Sequence, residues 1–196
     1  MNKHTAFKKW GLSPLSVQQL VLLAVLMALS LVIGKFSVYL TPTIKVAFVF
    51  LASSLIGKFY GPIWTMIVML LLDFVNVTFF VANATWSPFM AVGVAMSGLI
   101  YGGFFYQRSA DKQVIWWKVL LAVLLITFIV NLIVNTCAMM ILYSPHHSWK
   151  VFDAMLATRL PKQLIFFPIQ FVLTYFVLNN RIVTMISQQF FPAKQS

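Results

Sequence analysis

The chain has 196 residues, 61% of them hydrophobic and 9% charged, with a mean hydropathy of +0.92. Soluble domains carry about 25% charged residues, so polar surface is too scarce here to solvate a globule, and a cytosolic enzyme is excluded. Fourteen Lys and Arg against three Asp give a net charge of +11; in a membrane protein that excess follows from basic cytoplasmic loops, and no nucleic-acid partner is implied.

Long apolar runs without strand-like alternation predict an all-α polytopic protein whose helices satisfy their own backbone in the lipid bilayer, not a β-barrel. At about 20 residues per crossing, the sequence offers six spans in a single membrane domain covering 1–196: residues 16–40, 43–59, 61–81, 87–107, 116–143 and 151–179. Turn and breaker clusters separate them: Thr41-Pro42, Gly61-Pro62, Asn83 to Pro88, Ser109 to Gln113, and Ser144-Pro145-His146-His147. Nine basic residues, Lys58 among them, fall at one surface, and Lys35, Lys45 and Lys150 at the other. The positive-inside rule therefore predicts a six-transmembrane-helix bundle with both termini cytoplasmic. The first run is too long for a signal peptide and reads as a retained helix.

In chain order, the first span carries Ala24 and Ala28 one turn apart, a small-residue face suited to close contact with another helix or a partner protein. Lys35 and Lys45 flank the first external loop, placed to snorkel to headgroups or to steer an anionic solute. The third span holds Asp73 and Asn76 at membrane depth. An external loop of Asn83, Ala84, Thr85, Trp86 and Ser87 follows as a candidate lid, and Trp86 would supply its flat apolar surface. On the fourth span Ala91, Ala95, Gly98 and Gly102 form a small-residue stripe suited to packing within the bundle.

The fifth span repeats Thr127, Asn131 and Asn135 at every fourth position, one polar stripe that can bond a ligand or a neighbouring helix. The sixth carries Arg159 and Lys162 on one face, continued by Gln163 and Gln170. Ionisable groups at this depth are costly and therefore mark function. One carboxylate cannot neutralise two cations, so either Arg159 and Lys162 share Asp73 or one of them awaits an external anion. Cys137 has no partner for a disulfide. The adjacent His146 and His147 suggest no metal site, and no cofactor is expected. No GxxxxGK[ST] phosphate loop occurs, so ATP hydrolysis by that route is absent from this chain.

Four stretches carry a family resemblance: Ala24-Val-Leu-Met-Ala28, Ser97-Gly-Leu-Ile-Tyr-Gly102, Ile129-Val-Asn-Leu-Ile-Val-Asn-Thr136, and Ala157-Thr-Arg-Leu-Pro-Lys-Gln-Leu-Ile-Phe-Phe-Pro-Ile-Gln170. With the size and span count, they make the chain resemble the S components of energy-coupling factor (ECF) vitamin transporters, and the last stretch looks like the sixth helix of the folate group. The resemblance implies a non-enzymatic, multi-pass protein of a prokaryotic cell membrane that binds a vitamin near the outer surface. It also implies a partner module of one transmembrane coupling subunit and two ATPases, met through the Ala24/Ala28 face. Folate S components tend to carry an arginine after the alanine motif and an aromatic-Gly-Phe-Thr stretch opening the fourth helix. This chain has Ala28-Leu-Ser-Leu and Trp86-Ser-Pro-Phe-Met there. The expectation from those departures is pantothenate first and folate second, held by Arg159, Lys162, Gln163, Thr127, Asn131 and Asn135, with Trp86, Asn83 and Lys45 at the mouth. The other reading is a self-sufficient carrier using Asp73 as a proton site.

Overall fold

The computed structural model describes residues 15–36, 38–41, 44–46, 48–80, 85–107, 113–143 and 148–191. Helix α1 (Val17–Lys35) starts at a reciprocal cap, in which the Gln19 N–H donates to the Ser16 hydroxyl and the Ser16 N–H donates to the Gln19 side chain. It ends at Lys35, earlier than the span predicted to reach residue 40. Strands β1 (Val38–Thr41) and β2 (Ile44–Val46) follow and pair antiparallel, with Val38 opposite Val46 and Tyr39 opposite Lys45. This short hairpin is an addition to a bundle that is otherwise helical, as expected. Its β-branched residues flank the Thr41-Pro42 turn, a composition that suits strands better than a helix end.

Helix α2 (Val49–Phe80) is helical apart from Gly61, at φ 80° and ψ 177°. A straight helix would set Val49 about 36 Å from Asp73, yet both residues line one cavity together with Ser53 and Met69. The chain therefore doubles back at Gly61. Only glycine takes that dihedral without strain. Pro62 opens the returning arm, where its missing N–H costs nothing, and the Thr65 hydroxyl donates to the Gly61 carbonyl at 2.6 Å.

Helix α3 (Pro88–Phe105) packs into this bend through its glycines. A methyl group at Gly98 would lie 2.7 Å from Met66 Cα, and one at Gly102 would overlap the Pro62 backbone. The small-residue stripe thus works inside the bundle. A third rod follows in three pieces: α4 (Trp116–Leu124), a π-helical segment (Leu125–Val134), and α5 (Asn135–Tyr143). Helix α6 (Trp149–Leu178) contains Pro161 and Pro168, and α7 (Arg181–Phe190) is a short helix begun by the Asn180 cap. Among the described residues, five helical stretches are long and apolar enough to cross a membrane: Val17–Lys35, Val49–Phe80, Pro88–Phe105, Trp116–Leu142 and Trp149–Leu178.

One end of the bundle is tied shut. The Asn179 side chain accepts from the Val114 N–H at 2.8 Å and donates to the Val114 carbonyl at 3.1 Å. Lys58 donates to the Leu178 carbonyl, complementing the negative end of α6. Tyr60 donates to the Gln19 carbonyl, and the Gln19 amide donates to the Phe190 carbonyl. Both buried apolar clusters reach this end, one including Phe105, Val114, Val119 and Leu178, the other Phe59, Tyr60 and Val183. Lys58, expected at the basic surface, is buried here. The opposite end carries Lys35, which donates to the Phe80 carbonyl and lies 4.2 Å from the centre of its ring. Packing there is looser, and no residue of α6 before Gln170 is buried.

Candidate functional site

Among the described residues, two adjoining cavities between the helices stand out. The first, about 170 Å³, is lined by Ser30, Leu31 and Gly34 of α1, by Val49, Ser53, Met69, Leu72, Asp73 and Asn76 of the two α2 arms, and by Val94 of α3. The second, about 230 Å³, takes Val49, Phe50, Ser53 and Met69 from α2, Ser97 and Tyr101 from α3, Ile126 and Asn131 from the third rod, and Phe166 and Gln170 from α6. Val49, Ser53 and Met69 form a wall common to both. Mostly apolar walls with a few polar groups are the usual make-up of a small-molecule site.

The polar stripe of the third rod divides into different roles. Asn131 lines the second cavity, and its side-chain oxygen stands 3.4 Å from the Asn135 amide nitrogen, which donates to it. Asn135 presses against Gly93, where any side chain would overlap its oxygen. Thr127 is fully buried, lines neither cavity, and has a hydroxyl without a hydrogen-bond partner among the described residues. The π-helical segment contains Thr127 and Asn131 and ends just before Asn135. Its wider turns change which residues share a face, so an every-fourth-residue stripe does not stay in line through it. Such segments recur at functional sites.

Arg159 is half-buried, about 15 Å along α6 from Trp149. Its Nη1 donates to the Thr136 hydroxyl at 3.5 Å, the outer limit of a hydrogen bond. Among the described residues that is the guanidinium's one hydrogen-bond partner, although the group offers five N–H donors. Arg159 and Asp73 do not pair. The Asp73 Oδ2 instead accepts from the Trp86 indole N–H at 3.0 Å, and the Trp86 ring meets Phe74 edge-on at 5.7 Å. Of the two arrangements expected for these charges, the structure excludes an Asp73–Arg159 bridge.

Lys162 and Gln163 are half-buried on α6, one turn beyond Arg159. Gln170 lies deeper, buried against α3, and donates to the Tyr101 hydroxyl at 3.2 Å. Asn83 and the Lys45 side chain lie outside the described residues. Ala24 and Ala28 stand exposed on α1, in a face with Leu20, Val21, Val25, Leu29 and Val32. Tyr101, Ser97 and Ser53 line the site without having been singled out. Ser97 and Tyr101 fall in a stretch that carries the family resemblance, but beyond that a hydroxyl on an apolar helix is the mark they bear in sequence, and Ser and Thr are common at helix contacts generally.

Residues 18–178 match the family described as ECF transporter, substrate-specific component. The chain belongs to this family. As an S component it is a transporter subunit, and its relatives are named for a substrate. It is 34% identical over 184 residues, 94% of this chain and 97% of the other, to the folate transporter FolT of Leuconostoc mesenteroides. It is 32% identical over 159 residues, 81% of this chain and 87% of the other, to the folate transporter FolT of Clostridium novyi. Its fold is similar to a crystal structure of FolT bound with folic acid, at 33% identity and a TM-score of 0.71, covering 84% of this chain and 94% of that one. These relatives give no support to the ordering that puts pantothenate first. The departures after Ala28 and at Trp86 do not separate this S component from proteins named for folate.

Proposed function

We propose that this S component binds folate at the outer face of a bacterial cell membrane and delivers it for ATP-driven uptake by a module of one transmembrane coupling subunit and two ATPases. The observation that carries the reading is the likeness over nearly the whole chain to proteins named folate transporters. The site's chemistry supports it. A half-buried guanidinium with, among the described residues, a single long bond to a neutral hydroxyl suits a carboxylate of the ligand, since charge-assisted bonds to Arg are among the strongest available. Asn131, Asn135 and Gln163 extend the same polar region.

We read six membrane passes with both termini cytoplasmic. The reversal at Gly61 supports counting the arms of α2 as two passes, and the bias of basic residues toward the tied end supports the orientation. The loosely packed end then faces outward, where a nutrient is captured. The exposed Ala24/Ala28 face is the proposed contact with the coupling subunit.

Titration of the purified chain with folate and with pantothenate, followed by uptake of labelled folate in proteoliposomes, tests the proposal. The expected result is saturable folate binding by the chain alone, and transport only with the coupling subunit, the ATPases and ATP. Tight pantothenate binding without folate binding, or accumulation by the chain alone on a proton gradient, would overturn it.

A further inference from the structure

The Asp73 carboxylate is held at membrane depth on the wall of the first cavity. One oxygen accepts the Trp86 indole N–H, and among the described residues no cation pairs with the carboxylate. An uncompensated acid in this position is expensive unless something else uses it. Asn76, three residues on along α2, lines the same cavity and offers both a donor and an acceptor. The surrounding walls are Leu31, Met69, Leu72 and Val94, apolar side chains suited to the faces of a flat ring. The volume, about 170 Å³, far exceeds the roughly 30 Å³ a single water takes up.

Resting on the folate reading above, we propose that Asp73 recognises the 2-amino-4-oxopyrimidine edge of the ligand's pterin head. That edge presents a ring N–H beside an exocyclic amine, two parallel donors that match a carboxylate as one side of a guanidinium does. Trp86 donates to Oδ2, whose second lone pair remains, with Oδ1, to accept the two ligand donors. The site then has two poles of opposite kind: Asp73 for the donor edge, and Arg159 for the acid end. Pantothenate has an acid but no such edge, so this pole selects for the pterin. In Asp73→Asn an NH2 group faces the ligand's own donors and no charge remains, which penalises the correct ligand specifically.

The full-length chain in detergent is titrated with folic acid and with its 2-desamino-2-methyl analogue, for wild type and Asp73→Asn. Wild type is expected to prefer folic acid by about 100-fold, near the upper end of what leaving one buried acceptor unpaired costs. Asp73→Asn is expected to lose most of that preference by weakening on folic acid while holding the analogue as wild type does. Equal wild-type affinity for the two ligands overturns the proposal without needing the variant to fold. Unchanged discrimination in a folded Asp73→Asn overturns it as well. Folic acid binding by wild type in either of those results leaves the folate reading standing, whereas no folic acid binding at all removes both.

Discussion

Asn135 rests directly on Gly93, so closely that a methyl group at that glycine would overlap the amide oxygen. The missing side chain on α3 is what lets the amide sit between the helices and stay within reach of Asn131. Gly93→Ala is expected to push Asn135 out of place and to weaken folate binding by about tenfold or more, with a stability cost of about 1–3 kcal/mol from overpacking. Calorimetric titration and thermal unfolding of the purified variant check the two effects separately.

Arg159 carries the acid-binding half of the proposed site. Arg159→Ala is expected to lower folate affinity by about 100-fold, since a charge-assisted pair contributes about 1.5–3 kcal/mol. Arg159→Lys should recover part of it, because the charge returns without the planar fork. Size-exclusion profiles and unfolding temperatures near those of wild type would show that the loss belongs to the ligand and not to the fold.

The alanines of α1 lie on the outside. Replacing Ala28 with Trp fills no cavity of the chain itself, so folate binding by the isolated subunit is expected to stay as it is. Uptake with the coupling module should fall to background, because helix contacts in lipid depend on close approach of small residues. Paired binding and transport assays on the same preparation read the contrast.

Lys58 has the opposite character. Its ammonium sits inside the bundle and closes the carbonyl end of α6 at Leu178. Lys58→Met is expected to lower stability by about 1–3 kcal/mol through the carbonyl left without a donor, and to leave folate affinity within about threefold, since the site is at the other end. Thermal unfolding with and without folate measures both.

Much of this architecture is legible in the residues. Gly61-Pro62 marks a break because glycine alone accepts the left-handed turn and proline then starts a helix cleanly, and the structure reverses there. Gly98 and Gly102 announce a close helix contact, although only the fold shows the partner to be the Met66 and Pro62 backbone. The β1–β2 hairpin escaped because strands of four and three residues are too short to show alternation beside long apolar runs. The burial of Lys58 is not legible because a charge next to a predicted boundary reads as surface, and its carbonyl partner lies 120 residues away. Arg159 could be singled out from its depth alone. The Asp73–Trp86 bond depends on how α2 and the loop before α3 meet, and spacing along the chain says nothing of that.

The reversal at Gly61 also bears on how the polypeptide reaches its membrane. The arm spanning 49–60 is about 18 Å long as a helix, well short of a hydrocarbon layer about 30 Å thick. Such a segment partitions poorly by itself, and its polar Ser53, Ser54 and Lys58 make solitary entry worse. Stable insertion of this arm is therefore expected to depend on the returning arm, against which it packs around the shared cavity.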